Sequence, residues 1–507
     1  MKQLAQKNIL VLGLGASGLA LARWCARCGA QVTVADTRAV PPQLEALQDS
    51  VTAATFINAE MSEALLAGAA FDLVLKSPGL SPASVAGVIS AAQARGIARG
   101  NELSLFAQAL AELKEDQAYT PQVIGITGTN GKTTVTSLTG QLVQCAGKSV
   151  AVAGNIGPTL LDTLAEKLDE KRRGQALPEV WVLELSSFQL DGVDNFEPTV
   201  ATVLNVTQDH LDWHGTLSAY IAAKANVYGR SGLMLLNRDD PLVMAAIPQP
   251  MPLMPRTKAK PVRAYLTFGS DEPRRPGDYG IETVNGMAWL VRAAQADETI
   301  KRRKDEEVVL YIQRLMPMEA LRIRGRHNAT NALAALALAV AAGCPLAPML
   351  HGLRDYRGEP HRLESVAIVN GVEYFDDSKG TNVGATAAAL AGLGTERKLV
   401  LILGGEGKGQ DFSPLAEPVS RYARAVVLIG RDAPLIRSAL QASGVALLEA
   451  ASMQEAVTLA AQQADSGDAV LMSPACASFD MFDNYKQRAQ VFCEAVQAMA
   501  QEQGAVL

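Results

Sequence analysis

Three short apolar runs in the sequence are each followed at once by a glycine-rich turn: NILVLGLGASG at 8–18, VIGITGTNGKTT at 123–134 and KLVLILGGEGKG at 398–409. The runs are too short and too rich in β-branched residues for buried helices, and the glycines mark the ends of strands. Helical patterns follow the first two turns, at 18–29 and 133–147. Because a strand, a glycine turn and a helix open a doubly wound sheet, the pattern predicts an α/β fold.

The spacing of these units is irregular, which favours separate domains over a solenoid. The length of 507 residues also corresponds to about three domains. The polar segment LKEDQAYTP at 113–121 and the turn-rich segment DYRGEPHR at 355–362 are the candidate boundaries. We therefore expect domains at 1–118, 119–358 and 359–507.

The pattern weakens between 255 and 325. There EPRRPGDYG at 272–280 predicts a loop and KRRKDEE at 301–307 a solvated charge run, with short amphipathic strands around them. A site for an anionic partner is the alternative interpretation of the charge run. The apolar stretch at 332–350 is rich in alanine and contains one glycine and two prolines, so it predicts a buried helix that stops rather than a membrane span.

Composition narrows the class of protein. Hydrophobic residues make up 48% and charged residues 19% of the chain, as in globular proteins with packed cores. The net charge of −6 lacks the basic footprint of a nucleic-acid-binding protein, whereas a small anionic ligand needs only a few local cations. The six cysteines form no metal-binding pattern, and the N-terminus has no signal-peptide layout. We expect a soluble protein of the cytoplasm.

The segment GITGTNGKTT at 125–134 carries the sharpest chemical signal. Its glycines allow backbone N–H groups to surround phosphates, Lys132 adds a cation, and Thr133 can place its hydroxyl on a magnesium ion. It departs from a strict Walker A pattern, because Ile126 stands where that pattern has its first glycine. A glycine turn with a solvated lysine is the alternative, and the flanking strand and helix favour phosphate binding.

Polar residues follow the next strands of this predicted domain. Glu184 ends an apolar strand, where a magnesium-binding carboxylate lies in nucleotide-hydrolysing α/β domains, and GNIG at 154–157 offers an amide in a turn. His210 lies just past a strand predicted at 199–206, with a core histidine as the alternative. Lys224 falls on a largely apolar helical stretch, where an ammonium is costly unless it is paired or reacts in its neutral form.

The first glycine turn, at 13–18, fits G-x-G-x-x-G, and Asp36 ends the next strand. Taken alone, this fingerprint predicts a nicotinamide-binding oxidoreductase, but the same fold binds other nucleotides. A dehydrogenase would leave Lys132, Glu184 and His210 without a role.

The segments TGTNGKTT, ELSSFQL, NVTQDHLD and YIAAK occur in this order in the central part of the chain. Further on come PHRLE at 360–364, DDSKGTN at 376–382, GGEGKG at 404–409 and SPACASFD at 473–480. Together these segments resemble the Mur ligases, which join amino acids to the peptidoglycan precursor, in the group that adds D-glutamate. The resemblance runs from Ile9 to Phe492, with weaker stretches at 163–178 and 255–325.

The resemblance implies a three-domain α/β fold, with a Rossmann-like N-terminal domain, a central P-loop-like ATPase domain and a Rossmann-like C-terminal domain. It implies an ATP-dependent ligase that adds D-glutamate to UDP-N-acetylmuramoyl-L-alanine through an acyl phosphate, giving ADP and phosphate. That activity belongs to peptidoglycan synthesis, and hence to cell-wall formation, cell shape and cell division. The implied cofactors are ATP, magnesium at two sites and a lysine carbamate. The implied partners are these small substrates, with the chain acting as a monomer.

The resemblance also implies roles for individual residues. The catalytic residues would be Lys132, Glu184, His210 and Lys224. The ATP-binding residues would be Gly128, Thr129, Asn130, Gly131, Lys132, Thr133, Thr134, Asn328, Asn331, Arg362 and Asp377. The UDP-substrate would be bound by Gly15, Ala16, Ser17, Asp36, Thr37, Ser77, Pro78, Gly79 and Asn155. D-Glutamate would be bound by Lys379, Thr381, Lys408, Ser478 and Tyr485. The metal ligands would be Thr133, Glu184, His210 and Lys224 as a carbamate.

Other functions remain as alternatives to this interpretation. Within the same class, another Mur ligase or a folylpolyglutamate synthase would use a different amino acid, and the pocket around Lys379, Ser478 and Tyr485 decides between them. A nucleotide-binding scaffold without turnover fits poorly with so many catalytic residue types. The serines after Leu185 lack a G-x-S-x-G surround, so no serine nucleophile is predicted.

Overall fold

The computed structural model describes residues 2–68, 70–247, 263–295 and 309–502. The predicted charge run at 301–307 lies outside the described residues. The chain forms three α/β domains, each built around a mainly parallel sheet, and this confirms the predicted fold class.

The N-terminal domain is a five-stranded parallel sheet in the order β3-β2-β1-β4-β5. Its strands are β1 (Asn8–Leu12), β2 (Gln31–Asp36), β3 (Thr55–Asn58), β4 (Leu73–Lys76) and β5 (Ala98–Gly100). Its helices are α1 (Ala16–Arg27), α2 (Leu44–Ser50), α3 (Ala86–Ala94) and α4 (Glu102–Gln117). The strand order reverses between β1 and β4, and a crevice for a ligand forms at the carboxyl ends of strands at such a point.

The central domain has a six-stranded parallel sheet in the order β11-β10-β9-β6-β8-β7, and an antiparallel sheet in the order β12-β13-β14. The strands are β6 (Gln122–Thr127), β7 (Val150–Gly154), β8 (Val180–Glu184), β9 (Val200–Val203), β10 (Leu233–Asn237), β11 (Tyr265–Phe268), β12 (Tyr279–Val284), β13 (Met287–Gln295) and β14 (Leu310–Pro317). The helices are α5 (Lys132–Cys145), α6 (Leu160–Arg172), α7 (Ser187–Leu190), α8 (Leu211–His214), α9 (Leu217–Ala225), α10 (Pro241–Met244), α11 (Arg326–Ala341) and α12 (Leu346–Asp355). Because β9, β6 and β8 are neighbours, their carboxyl ends place three loops side by side.

The C-terminal domain is a six-stranded sheet in the order β15-β16-β20-β17-β18-β19, with β15 antiparallel to β16 and the other pairs parallel. The strands are β15 (Glu364–Val369), β16 (Val372–Asp376), β17 (Leu399–Gly404), β18 (Ala423–Ile429), β19 (Ala446–Glu449) and β20 (Ala469–Met472). The helices are α13 (Val383–Gly394), α14 (Ala416–Tyr422), α15 (Ala433–Leu440), α16 (Met453–Gln463) and α17 (Tyr485–Glu502).

The apolar stretch at 332–350 contains the predicted buried helix that stops, and a second helix begins before the stretch ends. Helix α11 ends at Ala341, just before Gly343, whose φ of +78° is readily adopted by glycine. Pro345 then precedes α12. The predicted domain boundaries near 118 and 358 fall between α4 and β6 and between α12 and β15.

Helix α11 is almost completely buried, and its small alanines let it pack closely on α5. This packing brings the first turn of α11, with Asn328 and Asn331, against the glycine turn after β6. A Cβ on Gly131 would lie only 2.8 Å from the Asn331 Oδ1 atom. Across the described parts of the chain, every helix is too short or too polar to cross a membrane.

Candidate active site

The conformation of the turn between β6 and α5 depends on its glycines and on the side chain of Asn205. Gly131 has a φ of +83°, which favours glycine. Asn205, from the loop after β9, holds the turn on both sides: its Oδ1 accepts from the Asn130 amide at 2.8 Å and its Nδ2 donates to the Asn130 carbonyl at 3.1 Å. The sequence analysis missed Asn205, although it opens the quoted segment NVTQDHLD. We call residues 128–134 the phosphate loop.

Lys132 begins α5 and folds back onto the phosphate loop. Its Nζ donates to the carbonyl oxygens of Gly128, at 2.9 Å, and Thr129, at 2.8 Å. Burial lowers the pKa of Lys132, while the charges of Glu184 and Asp209 act in the opposite direction. The first turn of α5 has no side-chain cap, so its amides and this ammonium are suited to an anion.

Glu184 ends β8 at the same edge of the sheet and is 1% exposed. The Asn155 side chain donates to Glu184 Oε1 at 3.0 Å, and the Asn155 amide donates to the Glu184 carbonyl at 2.8 Å. Thr133 lies opposite on α5, and its Oγ1 accepts from Arg362 Nη2 at 2.8 Å. Thr133, Glu184 and Asn155 therefore lie close together in the central domain. Arg362 of the C-terminal domain contacts this group through Thr133.

Lys224 is a buried lysine, and in the described part of the chain no carboxylate forms an ion pair with it. Its side chain is 2% exposed, and its Nζ donates to the Gly128 carbonyl at 2.9 Å and lies 4.4 Å from the centre of the Tyr220 ring. Burial lowers the pKa of Lys224 well below its usual value, and the nearby charge of Lys132 lowers it further. The environment therefore favours a neutral, reactive amine.

His210 precedes α8 with a φ of +55°. Its ring meets Phe188 edge-on, with 4.7 Å between ring centres, and its Nε2 lies 3.7 Å from an oxygen of Asp209. Burial lowers the pKa of His210, so the neutral imidazole is favoured, although the charge of Asp209 opposes this. The sequence analysis missed Asp209. Its negative charge also acts to raise the pKa of Lys132 and of Lys224.

The C-terminal domain contacts the phosphate loop through Asn382. Its Nδ2 donates to Asn130 Oδ1 at 3.0 Å and to Asp209 Oδ2 at 3.3 Å, and its Oδ1 accepts from Asn130 Nδ2 at 3.2 Å. The same Oδ1 caps α13 by accepting from the Ala385 amide at 2.9 Å. This residue, also missed, has a signal in the sequence, since asparagine before an apolar helical stretch is a helix cap.

A cavity of about 310 Å³ opens above the phosphate loop between the central and C-terminal domains. The residues predicted to bind ATP that line it are Asn130, Gly131, Thr134, Asn328, Asn331, Arg362 and Asp377. Lys379, predicted to bind D-glutamate, lines the same cavity, with Phe268, Ile323 and His327 as unpredicted neighbours. Thr133 and Glu184 line an adjacent cavity of about 420 Å³. One place therefore offers phosphate-binding groups, amides and apolar surface together.

Asp377 is a buried carboxyl in the wall of this cavity. Its Oδ2 accepts from the Ser473 hydroxyl at 2.6 Å, and burial raises the pKa of Asp377 to about 7. Glycine at position 380 keeps this contact open, because a Cβ there would lie 2.6 Å from the same oxygen. An alanine at Gly380 would crowd the carboxyl group.

Replacing Asp377 by asparagine is expected to weaken the pH dependence of stability. Because the pKa is raised to about 7 in the folded protein, the folded state binds more protons than the unfolded chain between about pH 4 and 7. The stabilisation is therefore complete below that window and is lost as the pH rises through it. Between about pH 4.5 and 7.5, the unfolding temperature of the unsubstituted protein should fall about 2–4 °C more than that of Asp377→Asn. Calorimetry measures this, with the exposed Asp49→Asn as control, and equal slopes would contradict it.

The residues predicted for D-glutamate lie in two groups on the C-terminal domain. Lys379 Nζ is 3.9 Å from the centre of the Tyr485 ring, and the pKa of Lys379 is lowered to about 8 by burial, with the charges of Arg362 and Lys132 adding to the effect. The Thr381 amide donates to the Lys379 carbonyl at 2.9 Å.

The second group consists of Lys408 and Ser478. Ser478 is 3% exposed, and Lys408 Nζ lies 5.9 Å from the ring of the neighbouring Phe479. A missed residue, the fully buried Arg488, ties the two groups together, since it donates to the carbonyls of Ser378 at 2.8 Å and Cys476 at 3.1 Å. Its signal in the sequence is its spacing of four residues from Phe492, which places it on the buried face of α17.

The residues predicted for the UDP-substrate gather at the carboxyl edge of the first sheet, except Asn155, which lies in the central domain beside Glu184. Gly15, Ala16 and Ser17 begin α1, and Ser77, Pro78 and Gly79 directly follow β4, with Thr37 exposed beside β2. The two loops touch, because a Cβ on Gly13 would lie 3.2 Å from the Ser77 Cβ.

Asp36 is already engaged within the N-terminal domain. Arg38 contacts both carboxylate oxygens at 2.8 Å, the Leu14 amide donates at 2.7 Å, and Arg38 lowers the pKa of Asp36 to about 2. The carboxylate thus fixes the glycine loop to β2. Arg38, which the sequence analysis missed, is the exposed member of the pair.

Among the residues that the structure describes, one group of three side chains could hold a metal ion: His361, Glu364 and Asp376. Their ligand atoms lie within 4.8 Å of one another. His361 Nδ1 is hydrogen-bonded to Asp376 at 2.7 Å, and its amide donates to Glu364 at 2.9 Å. These groups satisfy each other, and they are not the predicted ligands.

Comparison with known proteins adds to this geometry. The sequence matches three family models. They are described as "Mur ligase MurD-like, N-terminal domain" at 7–99, "Mur ligase middle domain" at 126–339 and "Mur ligase, glutamate ligase domain" at 361–476. These three matches appear in chain order, and each falls on one of the three α/β domains.

Two relatives and one solved structure extend the comparison. A UDP-N-acetylmuramoylalanine–D-glutamate ligase from Albidiferax ferrireducens is 66% identical over 505 residues, covering 100% of this chain and 99% of that protein. One from a Polaromonas species is 61% identical, with 100% of both chains covered. The MurF ligase from Thermotoga maritima in complex with ADP shares the fold, with a TM-score of 0.56 at 15% identity over 99% of this chain and 97% of that one. The chain therefore belongs to the Mur ligase family.

Proposed function

We propose that the protein adds D-glutamate to UDP-N-acetylmuramoyl-L-alanine, using ATP, as a step of peptidoglycan synthesis. As a Mur ligase it is an ATP-dependent enzyme that forms an amide bond. The observation that carries the proposal is the cavity above the phosphate loop, where Asn130 and Asn331 of the central domain face Arg362 and Lys379 of the C-terminal domain. The charge of Lys132 acts on Lys379 from nearby. The relatives that span the whole chain support the choice of D-glutamate by their names.

The reaction proceeds in two steps. First, the carboxylate of the L-alanyl group attacks the γ-phosphorus of ATP, so that an acyl phosphate forms and ADP leaves. The amine of D-glutamate then attacks the acyl carbon, giving a tetrahedral intermediate that loses phosphate and a proton to yield the amide. Lys132 and the free amides of α5 hold the transferred phosphoryl group, so positioning and charge neutralisation supply most of the rate.

Magnesium fits the residues present if Lys224 is carbamylated. An ammonium at this buried position, beside Lys132, is unsuited to a cation site, whereas a carbamate supplies oxygen ligands and negative charge. Thr133, Glu184, His210 and the carbamate of Lys224 would then hold the ions, and bound magnesium would neutralise the phosphate oxygens. In the carbamylation step, the neutral amine of Lys224 forms an N–C bond with carbon dioxide and releases one proton.

D-Glutamate brings two carboxylates, and the C-terminal domain offers two cations for them. Lys379 and Lys408 would pair with the carboxylates, with Thr381, Ser478 and Tyr485 around them. At the opposite end, the loops at 13–17 and 77–79 would hold the UDP group. All of these residues come from one chain, so a monomer suffices for the reaction.

Phosphate release should require both UDP-N-acetylmuramoyl-L-alanine and D-glutamate, in addition to ATP. The expected result is turnover only when all three are present, because the acyl phosphate forms on the first and is consumed by the second. A coupled phosphate assay measures this, with L-glutamate as the matched control for the amino acid. Turnover with L-alanine, L-lysine or a folate instead would contradict the proposed function.

A further inference from the structure

Lys76 is a charged residue of the N-terminal domain that reaches into the central domain. It ends β4, directly before the loop at 77–79, and its side chain is 12% exposed. Its Nζ lies 3.3 Å from Asp191 Oδ2 and 4.8 Å from the centre of the Trp213 ring. Both partners belong to the central domain, so Lys76 joins the loop proposed to hold the UDP-substrate to another domain.

Trp213 in turn belongs to an aromatic cluster around His210. The centre of its ring is 4.7 Å from that of Phe188, and Phe188 meets the His210 ring at the same distance. His214 stacks on Phe188 at 5.7 Å and shares a 2.9 Å hydrogen bond with Ser187. A continuous path of packed side chains therefore leads from Lys76 to the imidazole of His210.

The Trp213 ring is held by packing and charge. Its Nε1 is buried and has no hydrogen-bond partner within the described structure, so the indole N–H does not fix the ring. The ammonium of Lys76 over the ring supplies a directional contact, and such a contact is strongest where water is excluded.

We propose that Lys76 and Trp213 are positioning residues, which keep the UDP-substrate loop in register with His210. The inference rests on the proposed function, because it assigns the loop at 77–79 to the UDP-substrate. Docking of the two domains does not depend on this contact alone. Asn101 also donates to the Gln189 carbonyl at 3.0 Å, and Asn195 to the Ser104 carbonyl at 3.0 Å. Loss of Lys76 should therefore shift the loop without separating the domains.

The test compares Lys76→Met, Trp213→Leu and the double variant. Each single variant should lose about tenfold in kcat/KM for the UDP-substrate, while KM for ATP and D-glutamate stays within about twofold. The double variant should lose about as much as either single one, because both changes remove the same contact. Lys167→Met, which removes a 2.8 Å ion pair with Glu170 on α6, is the matched control and should leave the kinetics unchanged.

Two further measurements separate the outcomes. Calorimetric titration with UDP-N-acetylmuramoyl-L-alanine alone should show a Kd about tenfold weaker for Lys76→Met than for the unsubstituted protein. Unchanged Kd and kcat in this variant, or losses that multiply in the double variant, would overturn the inference. A lower unfolding temperature with unchanged kinetics would also overturn it, since that is the sign of a purely structural contact. If the unsubstituted protein binds this substrate but does not turn over, the proposed function fails instead.

Discussion

Replacing Lys132 by alanine should reduce phosphate release by at least about a thousandfold while the UDP-substrate still binds. Lys132 places its ammonium within the phosphate loop, 2.8–2.9 Å from two carbonyl oxygens, where it would meet the phosphoryl group in transfer. Its removal takes away positive charge at the point where negative charge moves. The loops at 13–17 and 77–79 lie in another domain, so the Kd of the UDP-substrate should stay within about threefold.

A lysine just beyond the other end of the same helix is the control. Lys148 follows α5 and donates to the Ala342 carbonyl at 3.2 Å, away from the phosphate loop. Lys148→Ala should keep nearly full activity in the same assay. Activity in Lys132→Ala, or loss of UDP-substrate binding together with turnover, would mean that the roles of the two domains are wrongly assigned.

Replacing Lys224 by alanine should lower turnover by about a hundredfold or more, and short carboxylic acids should restore part of it. The residue is buried, and its environment favours the neutral amine that reacts with carbon dioxide. If the working group is a carbamate, the variant lacks a carboxylate-like anion in a small cavity, and acetate or formate can occupy that space. The measurement is phosphate release against acid concentration.

Lys132→Ala provides the matched control for this rescue. Its missing group is a cation, so acetate should not restore its activity. The unsubstituted protein should also lose activity when carbon dioxide is removed and regain it when bicarbonate is added. An unrescued Lys224→Ala, together with indifference to bicarbonate, would count against the carbamate.

The sequence predicted the three α/β domains and the ends of the strands that precede the glycine turns. This was accurate because strand ends and glycine turns are local signals: the strand ending at Leu12 and the turn after Thr127 both lie where the apolar pattern stops. The helix predicted to stop within 332–350 does end at Ala341, before the positive φ of Gly343, but the second helix from Leu346 was not predicted. Glycine marks such breaks without fixing where the next helix begins.

Most of the residues that the sequence analysis did not predict were missed for the same physical reason. Asp209, Asn382 and Arg488 act through contacts with segments far away in the chain, and a pattern of neighbouring residues does not record such contacts. Asp36 shows the reverse case. Its position at the end of a strand predicted a ligand-binding carboxylate, and in the structure it contacts Arg38 and the Leu14 amide.

The contact between Asn382 and Asn130 has a consequence for how nucleotide enters and leaves. The wall of the 310 Å³ cavity comes from two domains, so under the proposed function ADP would leave and ATP would enter when the C-terminal domain moves away. Asn382 opposes that motion with three hydrogen bonds, and each contributes only about 0.5–1.5 kcal/mol. The contact therefore favours the assembled site by only about 1.5–4.5 kcal/mol in total, an amount that the binding or release of a ligand can outweigh.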